Sequence, residues 1–121
     1  DDDTPDIDEH LQKLPLQIRV YEITGPLFIG AADAIEHIIV KDFTKCLVLR
    51  MRSVPALDST AMNALQNLAK ICESKGISLV FSHVNEQPMR VMKKAGFIEL
   101  VGEENFRPNI SAALKRAEEV I

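Results

Sequence analysis

The 121-residue chain is poor in cysteine and in aromatic residues, with two cysteines, one tyrosine, five phenylalanines and no tryptophan. Cys46 and Cys72 have neither the spacing of a zinc site nor that of a disulfide scaffold, so we expect buried, reduced thiols in a cytosolic setting. The formal net charge of −4 argues against a nucleic-acid-binding protein, since binding phosphates requires a concentrated basic surface. No apolar run approaches the roughly 20 residues of a membrane span, so we expect this chain alone to be soluble.

Signatures of catalysis are also missing. His10, His37 and His83 share no metal-ligand spacing with each other or with the cysteines. Ser59 and His83 are residue types of a nucleophile and its base, but no Gly-x-Ser-x-Gly elbow surrounds the serine. The glycines of segment 25–30 lack the Lys-Ser/Thr of a phosphate loop and the dense glycines of a dinucleotide turn. We therefore predict no catalytic residue, no metal site and no enzymatic activity.

An acidic segment precedes the part of the chain that is patterned for folding. Residues 1–15 begin with three aspartates and contain Pro5 and Pro15, which is typical of a linker or tether. Hydrophobic residues make up 46% of the whole chain, which is enough to build one core of this size. The sequence therefore predicts a tether over 1–15 and one domain over 16–121.

Strand and helix patterns alternate along that domain. Predicted strands, marked by polar/apolar alternation or by continuous apolar runs, cover 17–23, 27–29, 46–51, 77–81 and 97–101. Predicted helices, marked by apolar residues three and four apart, run over 31–39, from Ser59 to Gly76, from Pro88 to Gly96 and over 110–120. The order β-β-α-β-α-β-α-β-α predicts an α/β fold with a mixed, mostly parallel sheet of about four to five strands and about four helices.

Three consecutive polar residues, Asp58, Ser59 and Thr60, stand where the 46–51 strand turns into a helix. Each can accept a hydrogen bond from the free N–H groups of a first helical turn, so one interpretation is capping. Three such residues exceed what one cap needs, so the other interpretation is that Ser59 or Thr60 is presented for modification or partner contact. A phosphate there would meet the positive helix end and the adjacent Asp58 carboxylate, which makes these hydroxyls candidates for reversible regulation.

Two further residues are candidates for contacting an anion or a partner. Arg50 ends the 46–51 strand, where it is placed to pair with Asp58, to meet an anion at the turn, or to carry its charge out of the sheet edge. Met62 lies at core spacing in the following helix. It fills a core gap in one interpretation and belongs to an adaptable docking surface in the other.

At these residues the chain resembles a known family over 16–121. The element order, the Asp58-Ser59-Thr60 turn and the glycine-terminated helix after it are similar to the STAS domain. That fold is shared by anti-sigma-factor antagonists and the cytoplasmic C-terminal part of SulP-type anion transporters. The stretch Gly-Pro-Leu-Phe-Ile-Gly-Ala-Ala at 25–32 resembles Gly-Pro-Leu-Phe-Phe-Gly-Ala-Ala, which is typical of SulP STAS domains, and the segment 49–58 resembles the same branch.

This resemblance implies a regulatory domain on the cytoplasmic side of the inner membrane, within a transporter of sulfate or a related anion or dicarboxylate. It implies contacts with the membrane domain of the same transporter, with a second copy, or with a cytosolic partner such as acyl carrier protein or a kinase. Nucleotide binding is implied only by the family, since no residue signature for it is found. In the antagonist branch the serine after the turn aspartate is phosphorylated, and that position is Ser59 here. A free-standing phospho-switch is therefore the alternative function.

Overall fold

The computed structural model describes Leu11, residues 13–24 and residues 43–121. The strand predicted at 27–29, the helix predicted at 31–39 and the glycine-containing stretch at 25–32 therefore lie outside the described residues. Most of the predicted tether lies outside them as well.

Four strands form one sheet in the described part of the chain. They are β1 (Ile18–Thr24), β2 (Cys46–Ser53), β3 (Ser78–Ser82) and β4 (Phe106–Arg107), lying side by side in that order. Each neighbouring pair is parallel. The strands predicted at 17–23, 46–51 and 77–81 are confirmed, with bounds that differ by one or two residues.

The described helices connect and cover these strands. They are α1 (Ser59–Ser74), α2 (Glu86–Lys94), α3 (Phe97–Val101) and α4 (Ile110–Val120). Helix α2 begins at Glu86, two residues before the predicted start at Pro88. Pro88 is tolerated in its first turn, because the N–H group that proline lacks would have no partner within the helix there. Among the helices of the described ranges, none has the length and apolar character needed to cross a bilayer.

The strand predicted at 97–101 is wrong, because this segment is the short helix α3. Gly96, with φ of 73°, separates it from α2. The helical spacing turns Phe97 and Val101 toward the core and leaves Glu99 exposed, whereas a strand would have placed Glu99 on the same side as Phe97. The last strand is instead β4, two residues that pair with the end of β3.

Alternate side chains of β2 point to opposite faces of the sheet. Leu47, Leu49 and Met51 pack with buried side chains of α1, α2 and α3 in the larger core cluster. Cys46 and Val48 pack on the other face with the buried side of α4. We call these the α1 face and the α4 face. The turn at Asp58 lies at the edge of the sheet where β2 ends.

Candidate functional site

Asp58 caps helix α1. Its backbone is extended, with φ of −92° and ψ of 178°, and its Oδ1 accepts a hydrogen bond from the Ala61 N–H at 2.7 Å. This bond satisfies one of the first-turn N–H groups that have no partner within the helix. Of the three polar residues at the turn, Asp58 is the one that fills the capping role.

Ser59 and Thr60 occupy the first two positions of α1 and are exposed to solvent. The partial positive charge of the helix N-terminus favours anionic groups at these positions. The Asp58 carboxylate lies next to them and already uses the Ala61 N–H. The two hydroxyls are thus accessible to a partner or a modifying enzyme, in a field where helix and carboxylate oppose each other.

Gln87, in the first turn of α2, binds the backbone of the loop that precedes α1. Its Oε1 accepts a hydrogen bond from the Leu57 N–H at 2.8 Å, and its Nε2 donates to the Leu57 carbonyl at 3.1 Å. Leu57 itself is 3% exposed. Since this paired contact satisfies both backbone groups of one buried loop residue, it fixes the approach to α1.

Asn85, the residue before α2, hydrogen-bonds to the backbone at the end of β2 and at the start of the same loop. Its Nδ2 donates to the carbonyls of Arg52 at 3.1 Å and Val54 at 2.8 Å. Asn85 stands at the N-cap position of α2 but makes no side-chain capping bond there. Sequence reasoning missed both amides. The available signal was two amide side chains within the three residues before Pro88, where β3 ends beside β2.

A cleft of about 290 Å³ lies between α1 and α2 beside this turn. Met62 is only 4% exposed and belongs to the larger core cluster, yet it also lines the cleft. Polar side chains of α1 and α2 border the opening, among them Ser59, Asn63 and Lys94. Met62 is therefore a core residue that provides part of the apolar floor of a polar-rimmed cleft.

Arg50 lies on the α4 face, on the other side of the sheet from α1. Its side chain is 7% exposed, and its Nη1 lies 3.9 Å from the Oε1 of Glu22, its partner in register on β1. Arg52 contacts the same carboxylate at 3.2 Å. Among the ion pairs of the described residues, the pairing suggested with Asp58 is replaced by pairing with Glu22. The structure does not bring Arg50 to the surface that carries Ser59.

The two cysteines are free and buried, as predicted. Burial raises the pKa of the Cys46 thiol to about 12 and that of the Cys72 thiol to about 11. Thiols with such pKa values are poor nucleophiles and poor metal ligands near neutral pH. Within the described ranges, no group of three or more His, Cys, Asp and Glu residues is arranged to hold a metal ion.

Two solved structures are similar to this fold over most of its length. A sulfate transporter family protein from Wolinella succinogenes is 37% identical, with a TM-score of 0.79 over 88% of this chain and 89% of the other. The STAS domain of a SulP transporter from Vibrio cholerae is 28% identical, with a TM-score of 0.85 over 96% of both chains. The similarity therefore extends to sequence as well as to architecture.

Parts of two longer transporters are also similar to this chain. It is 28% identical to the putative sulfate transporter YvdB of Bacillus subtilis over 74% of its length, and 29% identical to the bicarbonate transporter BicA of Synechocystis over 84%. It spans only 17% and 18% of those two proteins. The family model of the STAS domain matches residues 12–113. The chain therefore belongs to the STAS domain family, and the structures that it resembles include the STAS domain of a SulP transporter.

Proposed function

We propose that this chain is the cytoplasmic interaction domain of a SulP-type transporter for sulfate or a related anion, acting through protein contacts and not by catalysis. The observation that carries the proposal is the match to a SulP transporter STAS domain over 96% of both chains. Its similarity to a small part of YvdB and of BicA is what a domain within a larger transporter would show. The acidic residues 1–15 would tether it to the membrane part.

The proposed docking surface is the start of α1 together with the cleft beside it. Ser59 and Thr60 supply exposed polar groups, and Met62 supplies apolar floor between α1 and α2. An apolar centre with a polar rim is the usual anatomy of a protein interface. The amides of Gln87 and Asn85 hold this surface in one conformation, which lowers the entropic cost of docking.

Ser59 is the residue through which we propose that docking is regulated. It is exposed, stands at the first helical position and follows a carboxylate. A phosphate would add a charge of about −1.5 to −2 at this point, enough to repel an acidic partner surface or to recruit a basic one. Phosphorylation would change the charge of the interface and leave the core unaltered, because the Ser59 side chain is exposed to solvent.

The transporter setting is tested by the size and location of the native polypeptide. Membranes and cytosol are separated and probed with an antibody against this domain. We expect a membrane-bound product several times larger than the 13.5 kDa of this chain. A cytosolic product of 13.5 kDa would contradict the transporter and favour the free-standing phospho-switch, with Ser59 as its switch residue.

The docking surface is tested by Ser59→Asp in the complete transporter. We expect partner retention to change by about tenfold, corresponding to about 1.4 kcal/mol for a charge placed at an interface, and the domain to stay folded. Asn67→Asp is the matched control, since Asn67 is exposed on the same helix but does not line the cleft. Equal retention by wild type and Ser59→Asp would place the interface elsewhere.

A further inference from the structure

The edge of the sheet where the strands begin differs chemically from the edge that carries Ser59. We define it by the described residues that lead into β1, β2 and β3, which are 13–17, 43–45 and 75–77, and name it the amino edge. Because the strands are parallel, these three segments lie together. Two contacts confirm this: the Lys45 N–H donates to the Gln17 carbonyl at 2.7 Å, and the Ser78 N–H donates to the Lys45 carbonyl at 2.9 Å.

Large apolar side chains are exposed on the amino edge. Leu16 is 70% exposed and Phe43 is 66% exposed, the two highest values among the exposed large hydrophobic residues of the described chain. They precede neighbouring strands, so both belong to the amino edge. A single exposed leucine would need no explanation, but two large apolar side chains exposed at one edge of the sheet favour a surface that a lipid or another molecule covers.

The charges within these three segments of the amino edge are all positive, whereas the segment that leads into β4 contains the exposed Glu103 and Glu104. The three segments contain Lys13, Lys45 and Lys75, all exposed, and no acidic residue. Acidic and basic residues flank them in the sequence, with Asp42 next to Lys41 and Glu73 in the last turn of α1. Six of the 18 acidic residues of the chain stand in 1–10, so residues 11–121 have two more basic than acidic residues.

We propose that the amino edge is a membrane-surface contact that lies against anionic lipid headgroups. Exposed aromatic and aliphatic side chains in the same segments as exposed lysines are the chemistry of interfacial membrane binding, with the apolar groups entering the headgroup region and the ammonium groups meeting lipid phosphates. The inference goes beyond the proposed function, because it requires lipid and no protein partner. Each lysine at an anionic surface contributes about fivefold in affinity.

This orientation assigns a partner class to the Ser59 surface. The eight residues of β2, at about 3.3 Å each, place the two edges of the sheet about 26 Å apart. With the amino edge on the bilayer, the start of α1 points away from it. The docking surface then faces the cytosol and is open to a soluble protein, a step that rests on the proposed function.

Vesicle flotation of the 121-residue chain tests the contact. Vesicles of pure phosphatidylcholine are compared with vesicles that contain phosphatidylglycerol at about 30% of the lipid as the anionic component. We expect binding to the anionic vesicles, weaker binding at high salt, and little binding to the neutral ones. Lys45→Glu/Lys75→Glu is expected to lower the partition coefficient at least about 25-fold, and Leu16→Gln/Phe43→Ser severalfold.

Matched variants keep this test specific. Lys93→Glu/Lys94→Glu reverses two exposed lysines of α2, and Leu100→Gln replaces a leucine that is 51% exposed on α3. We expect both to bind vesicles like wild type. If the double reversal at the amino edge unfolds the domain, Lys45→Gln/Lys75→Gln removes the two charges without adding new ones. We expect it to lower vesicle binding as well.

Three results would overturn the inference. They are wild-type protein that ignores anionic vesicles, equal losses in the α2 control, and light scattering that shows a dimer lost with Leu16→Gln/Phe43→Ser, which would make the edge a contact between copies. None of these touches the proposed function, which depends on the size and location of the native polypeptide. A membrane-bound transporter whose isolated domain does not float would overturn only the lipid contact.

Discussion

The two faces of the sheet are closed in different ways. On the α1 face, three helices cover β2, and the rings of Phe81, Phe97 and Phe106 form one aromatic cluster. Phe81 stacks on Phe106 with centroids 4.9 Å apart and meets Phe97 edge to face at 5.6 Å. On the α4 face, α4 is the single described helix that covers the sheet. Along β1 and β2, the buried apolar side chains of this face are followed by the ion pair of Glu22 and Arg50.

This difference shows which part of the core positions the candidate site. The loop before α1 is bound by amides at the start of α2, and α2 itself is seated on the α1 face through Met92, which is fully buried. The buried residue of that loop, Leu57, belongs to the core cluster of the same face, whereas the α4 cluster lies on the opposite side of the sheet. Damage to the α1 face should therefore loosen the site, whereas damage to the α4 face should lower stability alone.

The largest effect is expected from Phe81→Ala on the α1 face. Removing a fully buried ring from the aromatic cluster leaves a cavity and should cost about 4 kcal/mol of the free energy of unfolding. Urea unfolding measures the loss, and hydrogen exchange at the Leu57 amide reports loosening of the loop. Phe43→Ala, at a ring that is 66% exposed, is the control and should change stability by less than about 0.5 kcal/mol. Equal effects at the two positions would contradict the packing described.

A smaller loss is expected from Leu114→Ala on the α4 face. Leu114 is fully buried in the second cluster, so the substitution should cost about 3 kcal/mol. Unlike Phe81→Ala, it should leave the Leu57 amide protected under conditions where the domain is folded. Hydrogen exchange compared at matched residual stability separates the two cases. Loss of Leu57 protection in Leu114→Ala would show that the faces are coupled.

Gln87→Leu should have an intermediate effect that is confined to the site. The leucine is of similar size but leaves the buried Leu57 N–H and carbonyl without their partners, at a cost of about 2 kcal/mol. Binding at the Ser59 surface should weaken even at temperatures where the domain stays folded. Gln66→Leu, on α1 at the rim of the same cleft, is the matched control and should be nearly neutral. A neutral Gln87→Leu would mean that the loop holds its conformation without the amide.

The elements that the sequence predicts correctly are those with long, regular patterns. The continuous apolar run of β2 and the helical spacing of α1 and α4 are properties of neighbouring residues, so they are visible without coordinates. Strand β4 has only two residues, too few for any period, and the nearby apolar segment 97–101 has the residue types of a strand although it is helical. A short apolar run is ambiguous between strand and helix until its tertiary neighbours are known.

The position of the candidate site can be predicted from the sequence, whereas the long-range contacts around it cannot. The polar residues after β2 mark the start of α1, and the capping geometry of Asp58 follows from residue type. The contacts of Gln87 with Leu57 and of Arg50 with Glu22 join residues about 30 positions apart in the chain, through helix packing and strand register. Such pairings are set by the tertiary fold, which no local pattern encodes.

The smallest expected effects lie at the cap itself and test the opposing fields at Ser59. Asp58→Ala should cost about 1 kcal/mol through loss of the Ala61 bond, and Asp58→Asn a few tenths, because the amide oxygen still accepts that bond. Added to Asp58→Asn, Ser59→Asp should gain about 0.5 kcal/mol from the helix dipole, a gain that the Asp58 carboxylate opposes in wild type. Thermal unfolding of wild type, Asp58→Asn, Ser59→Asp and the double variant of these two gives the coupling between the two positions. Strictly additive effects would show that Asp58 acts only as a hydrogen-bond acceptor, and a phosphate on Ser59 would then bind the helix end unopposed.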